Sequence, residues 1–322
     1  MGLIRIKKQL QGRVQEILHL VLVLFGVSAL VFFMSQFVSG DIAETIVINR
    51  GLEPSRQEIE HVKDELGLND PLTVQYQRWI QAVLRGDFGV SYRSHQPVMH
   101  EISARIPQTL ILAISSAVLT IGITFMLCMD SVLNRKGIGK KLCTILVVLG
   151  TSVPSFVIAL GLIYLFAIQL QWFQITQTNT IVDYILPVLT LSLSILPSSL
   201  RVFQTSLIEN SQQTFVSVLK SRGFSMKHIL YKDVLNVSIG PWLTQFSVTM
   251  GHLLGGSVIV ETIFGIGGLG QFMVSSILNR DYPVIQAYVI IMGVIFVLLH
   301  FGVEMILRSL YPYRYLAQGD PL

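Results

Sequence analysis

Residues 209–241 read ENSQQTFVSVLKSRGFSMKHILYKDVLNVSIGP and stand between two strongly apolar stretches. In 214–222 the apolar residues Phe215, Val216, Val218 and Leu219 gather on one helical face, with Lys220 and Arg222 elsewhere. Gly223 then supplies a backbone suited to a sharp turn. Beyond it Met226, Ile229, Leu230, Val234 and Val237 recur at steps of mainly three and four. The spacing predicts a short helix, a glycine break and a second short helix, offering an apolar ridge to a groove on another protein. A plain inter-helix loop with a solvated basic face fits the same local features.

What flanks this segment sets its context. The chain has 322 residues, 52% hydrophobic and 13% charged, with a mean hydropathy of +0.62. Those values belong to a polytopic membrane protein in contact with lipid and argue against a soluble enzyme, and an all-α fold is expected from the helical spans that follow. Allowing about 1.5 Å of rise per residue and a hydrocarbon core about 30 Å thick, six transmembrane helices are expected, at 17–38, 106–129, 142–168, 181–203, 239–263 and 284–307. The first follows Arg5, Lys7, Lys8 and Arg13, and it is longer than the apolar core of a signal peptide.

Charge sets the orientation. Arg135, Lys136, Lys140 and Lys141 follow the second span, and Lys220, Arg222, Lys227 and Lys232 follow the fourth, whereas 169–180 holds no Lys or Arg. Both termini (1–16 and 308–322) and the 204–238 segment are therefore expected in the cytoplasm, and 39–105 as a small extracytoplasmic domain between helices 1 and 2. Residues 106–307 form the five-helix core. In 39–105, Pro54-Ser55-Arg56-Gln57-Glu58 marks a helix start with Gly67 as its stop, and 75–84 forms a second amphipathic helix. These pieces are too short for a core of their own and are expected to pack on the outer ends of the membrane helices.

The net charge of +4 comes from clusters at the edges of apolar segments, so it needs no nucleic acid to explain it. Gly265, Gly267 and Gly270 fit G-x-G-x-x-G, yet an apolar span precedes them where the dinucleotide fingerprint needs a strand, so a tightly turned or re-entrant loop is expected. No Walker A sequence is present, since Asn134 and Lys141 stand where a glycine and a Ser or Thr are required. Cys128 and Cys143 lack the spacing of a zinc site or disulfide framework and read as packing residues. No Ser/His/Asp set, carboxylate pair or HExxH motif assembles, no metal site is convincing, and the chain reads as a transport subunit rather than an enzyme.

His252 lies within a predicted span and admits two readings, a hydrogen-bonded interior residue or a group on the translocation path, where Gly255 and Glu261 are further candidates. His19 and His300 fall nearer span ends. Gly251 and Gly255 form a G-x-x-x-G step, a packing face within the bundle or against a partner. Pro154, Pro187 and Pro197 should interrupt or kink spans three and four.

Several stretches together resemble the inner-membrane permease subunits of dipeptide, oligopeptide and nickel ABC importers, and the likeness covers nearly the whole chain. Asp70-Pro71-Leu72, Gln75-Tyr76, Trp79, Gly86-Asp87-Phe88-Gly89 and Pro97-Val98 occur in that family's order. Gly223, Asn236 and Pro241 are similar to its coupling loop, and Glu261-Thr-Ile-Phe followed by Asn279-Arg-Asp-Tyr-Pro-Val-Ile-Gln286 to its later region. Leu219 and Gly240 depart from the pattern. The resemblance implies a type I ABC importer permease fold in a bacterial inner membrane. It implies a second homologous permease, two cytoplasmic ATPases that hold the ATP and Mg, and an extracytoplasmic binding protein, with no cofactor on this chain. Glu209, Phe215, Leu219, Arg222, Gly223, Ile229, Asn236 and Pro241 would couple to the ATPase. Asn279–Gln286 and Ser94–Val98 lean toward nickel, free or chelated, as cargo. Peptides are the alternative, and an ATP-independent secondary transporter is a reading of another class.

Overall fold

The computed structural model describes residues 22–34, 42–49, 51, 53–134, 137–173 and 180–310. The predicted N-terminal segment 1–16 and residues 311–322 of the predicted C-terminal tail, together with His19, Arg135, Lys136 and much of the 169–180 loop, lie outside them. The described residues are helical apart from turns and one isolated bridge, Val90 to Pro97. They divide into two units, 1–108 with 267–297 and 109–266 with 298–322.

The first unit holds α1 (Leu22–Met34), α2 (Ile42–Asn49), α3 (Arg56–Leu66), α4 (Leu72–Leu84) and α12 (Leu269–Leu278). It also holds the start of α5 (Val98–Leu133) and most of α13 (Tyr282–Leu310). Helix α3 begins where expected, with the Ser55 hydroxyl accepting from the Glu58 N–H at 3.2 Å, and ends at Gly67 in the left-handed region with φ 63°. Ala43, Ile46, Val47 and Val62 make a small core between α2 and α3. Helix α4 rests on α1 through rings: Tyr76 and Trp79 pack on Phe32 at 5.3 and 5.5 Å, and the Tyr76 and Ser28 hydroxyls share a hydrogen bond of 2.9 Å. The short helices gain their core by leaning on an apolar helix, as their length requires.

The second unit contains the rest of α5, then α6 (Ile138–Gly150), α7 (Ser155–Leu162) continued by a π turn over Ile163–Gln169, and α8 (Ile185–Ser211). It goes on with α9 (Thr214–Ser221), α10 (Met226–Ile229) and α11 (Leu235–Phe264). Four helical stretches are long and apolar enough to cross a membrane: Val98–Leu133, Ile181–Ser211, Met226–Phe264 and Tyr282–Ser309. The expected third span is not straight. Ile138–Gly150 and Ser155–Gln169 bend by 111°, because Pro154 lacks the N–H that would carry the helix on and caps a new one instead. The described residues therefore give four spans, or five with the bent pair counted as one, where six were expected. The expected first span is described only as Leu22–Met34.

Helices α8 and α11 are joined by small polar groups. The Trp242 indole donates to Ser199 Oγ at 2.9 Å, the Asn210 amide to Ser238 Oγ at 3.0 Å, and Ser238 Oγ to the Ser206 carbonyl at 3.2 Å. In a membrane, where apolar burial separates helices from lipid poorly, each such bond contributes about 0.6–2 kcal/mol. Pro197 lies inside α8, which is continuous through it, and a Cβ on Gly150 would sit 2.3 Å from the Pro197 ring. The glycine is what lets α6 come so close.

Candidate functional site: the basic helix-turn-helix and the open face of α11

Residues 209–241 hold the expected short helix, glycine break and second helix, but the second helix does not end within them. Helix α9 stops at Arg222, and Gly223 turns the chain at φ 89° with nothing within 4 Å of an added Cβ, so the backbone angle, not space, calls for glycine. Ser225 then caps α10, its hydroxyl accepting from the His228 N–H at 3.3 Å. From there α10, a π turn over Leu230–Val234 and α11 run on as one helical stretch, Met226–Phe264. No breaker separates Met226 from the expected span, and Pro241 is absorbed inside α11.

The expected ridge faces the other way. Val216, Ile229, Leu230 and Val234 are buried in one cluster with Phe203, Leu207 and Trp242, and Phe215 and Leu219 pack against it. Val216, Ile229, Leu230 and Val234 are thus covered by this chain's own bundle, and Phe215 and Leu219 are partly covered. The outward face carries Val218, Phe224 and Tyr231 at 44%, 46% and 44% exposure, among the exposed Lys220, Arg222, Lys227, His228 and Lys232. The Phe224 and His228 rings stack at 5.3 Å. Glu209 is exposed at the end of α8, and Asn236 is exposed with its amide donating to the Lys232 carbonyl at 2.7 Å. A basic surface with aromatic and aliphatic centres is suited to a protein groove with an acidic rim.

The candidates for a path do not come together. His252 and Gly255 lie on an exposed stripe of α11 with Thr244, Val248, Ile259 and Thr262, which excludes the reading of His252 as an interior residue of this chain. Glu261 is half a turn round the helix, fully buried, and accepts a hydrogen bond of 2.8 Å from Thr109 Oγ1 on α5. A Cβ on Gly255 would meet nothing within 4 Å, so this glycine makes no close helix contact inside the chain. Glu304, also within a predicted span, pairs with Arg308 at 2.9 Å. Cys128 and Cys143 are buried free thiols. After the left-handed Gly265, Gly268 caps the short helix α12, the tight turn expected of that glycine run.

One constellation was not foreseen. In the first unit Asp281, 2% exposed, accepts from Ser91 Oγ at 2.5 Å and from the Tyr92 N–H at 3.0 Å. It precedes the first residue of α13, where the helix N-terminus favours negative charge. Asp281 lies in a motif that carries the family likeness, and Ser91 and Tyr92 fall between two others, but a separation of 190 residues leaves no local periodicity to join them.

Long apolar helices, a polar interruption built as a basic helix-turn-helix, and a polar-dotted open helix face make a multi-pass membrane transport component. The chain belongs to the family described as binding-protein-dependent transport system inner membrane component, which matches residues 118–313, and the N-terminal part of such components matches residues 10–113. It is 32% identical over 299 residues to the glutathione transport system permease protein GsiC of Escherichia coli K12, covering 93% of this chain and 97% of that one. It is 33% identical over 298 residues to GsiC of Salmonella paratyphi A, covering 92% and 96%. Among solved structures, an inward-facing form of the MetNI methionine ABC transporter matches with a TM-score of 0.54 at 17% identity, over 66% of this chain and 97% of that one. That likeness establishes the type I ABC importer permease fold. The chain is a permease subunit of an ABC importer, a multi-pass inner-membrane protein whose class works with an ATPase and a substrate-binding protein. A secondary transporter is set aside by this membership.

Proposed function

We propose that this chain forms half of the translocation pathway of an importer for small peptides. The observation that carries the cargo class is the match to glutathione permeases along almost their entire length, because glutathione is itself a tripeptide. This favours the peptide alternative over nickel. Residues 94–98 and 279–286, which lean toward the nickel branch, lie around the Asp281 clasp, where they brace the first unit. In this reading that unit faces outward, toward the binding protein.

The basic helix-turn-helix docks on a cytoplasmic ATPase, and a second, homologous permease lies along the open stripe of α11, with His252 and Gly255 on the shared face. ATP binding draws the two ATPases together, the α9–α10 element moves with them, and the spans rock to open the path outward. Uptake of labelled glutathione, a labelled dipeptide and labelled nickel, compared in cells with and without this chain, tests the cargo. Peptide uptake that depends on the chain is expected. Nickel uptake that depends on it, with peptide uptake unchanged, would overturn the assignment.

A further inference from the structure

The first unit carries an open cleft of about 690 Å³, within the roughly 300–1,000 Å³ typical of small-ligand sites. Its apolar lining includes Phe32, Ile46, Trp79 and Phe88, and its polar lining includes Glu65, Arg78, Asp87 and His95. The walls are fixed by contacts independent of any ligand. Trp79 is wedged against Phe32 and Tyr76, at 5.5 and 5.9 Å between ring centres. Arg78 is held by Asp70 at 2.6 Å. Gly86 and Gly89, with φ of 82° and 78°, turn the chain on both sides of Asp87 and Phe88, and Asp87 accepts from the Gly89 N–H at 2.9 Å. The clasp of Ser91 and Tyr92 on Asp281 pins the far end of this loop.

Two carboxylates, a guanidinium and an imidazole around an aromatic base complement a ligand with charge of both signs and an apolar body. We infer that the cavity binds a zwitterionic peptide of two or three residues, its ammonium drawn to Glu65 and Asp87, its carboxylate to Arg78, and an apolar side chain against Trp79 and Phe88. The choice of ligand rests on the peptide reading above. The permease would then select cargo itself rather than leave recognition wholly to the binding protein.

The test is equilibrium binding of labelled Ala-Phe to the assembled transporter in nanodiscs without binding protein. Saturable binding is expected, weakened at least about tenfold, roughly 1.4 kcal/mol, by Arg78→Gln and by Asp87→Asn, which keeps an acceptor for the Gly89 N–H. N-acetyl-Ala-Phe-amide, lacking both charges, should compete at least about tenfold more weakly, and Gly161→Ala, at a position outside the cavity lining where an added Cβ meets nothing within 4 Å, should leave binding unchanged. No saturable binding, equal competition by the uncharged peptide, or insensitivity to both cavity variants would overturn the site. So would variants that weaken only docking of the binding protein, which would assign the cavity to that partner. Ala-Phe uptake in cells separates the two readings: uptake without cavity binding removes this inference and leaves the peptide importer, whereas cavity binding without uptake keeps the site and removes the cargo assignment.

Discussion

Phe224 and Ile229 are five residues apart and apolar, and they have opposite surroundings. Ile229 is fully buried against α8 and α11 residues, while Phe224 is 46% exposed beside Lys227 and His228. A charge at Ile229 enters an apolar core with no partner, which costs about 4 kcal/mol or more. Ile229→Asp is therefore expected to lower the amount of folded protein, and its loss of transport would say nothing of coupling. Phe224→Asp and Val218→Asp change only exposed positions, where effects on stability stay within about 0.5 kcal/mol. They are expected to keep the melting temperature and membrane insertion while abolishing co-purification of the ATPase and transport. Normal transport in both variants would remove the docking face from this surface.

Among the elements, α6 approaches α8 at a point that a side chain would block. Gly150 ends α6 just before the 111° bend, with the Pro197 ring where its Cβ would be. Gly150→Val has to push α6 off α8 and is expected to destabilise the protein by about 1–3 kcal/mol, read as a lower melting temperature in detergent. Gly161, where an added Cβ would meet nothing within 4 Å, is the control, and Gly161→Ala should leave that temperature unchanged or slightly raised, since alanine favours a helix. Equal effects at both positions would mean that the close crossing is not what Gly150 provides. Apolar runs and prolines announced most of these helices, and Ser55 and Gly67 announced both ends of α3. The bend of the third span was legible at Pro154 as a kink, but not its size, because a proline removes a hydrogen bond without fixing where the next helix points.

At the scale of the whole molecule, the exposed stripe of α11 is long, mixed in polarity and free of close intrachain contact at Gly255. Gly255→Leu is expected to leave the isolated chain as stable as before and to break assembly with the second permease, seen as loss of the larger species on size exclusion. Retained assembly with full transport would place the partner elsewhere. Hydropathy and charge clusters by themselves determined that this chain is a polytopic membrane protein and located its basic segment between two spans, and the order of its motifs supplied the resemblance to importer permeases. They could do so because transfer of long apolar runs into lipid and short-range turn preferences depend on neighbours in sequence. Tertiary structure alone decided which side of α9 and α10 faces the bundle, that His252 and Glu261 lie on opposite sides of α11, that Asp281 clasps Ser91 and Tyr92, and that the first unit carries an open cleft. Each of these depends on surfaces brought together from distant parts of the chain, and a helical period records that a face is apolar without recording what covers it.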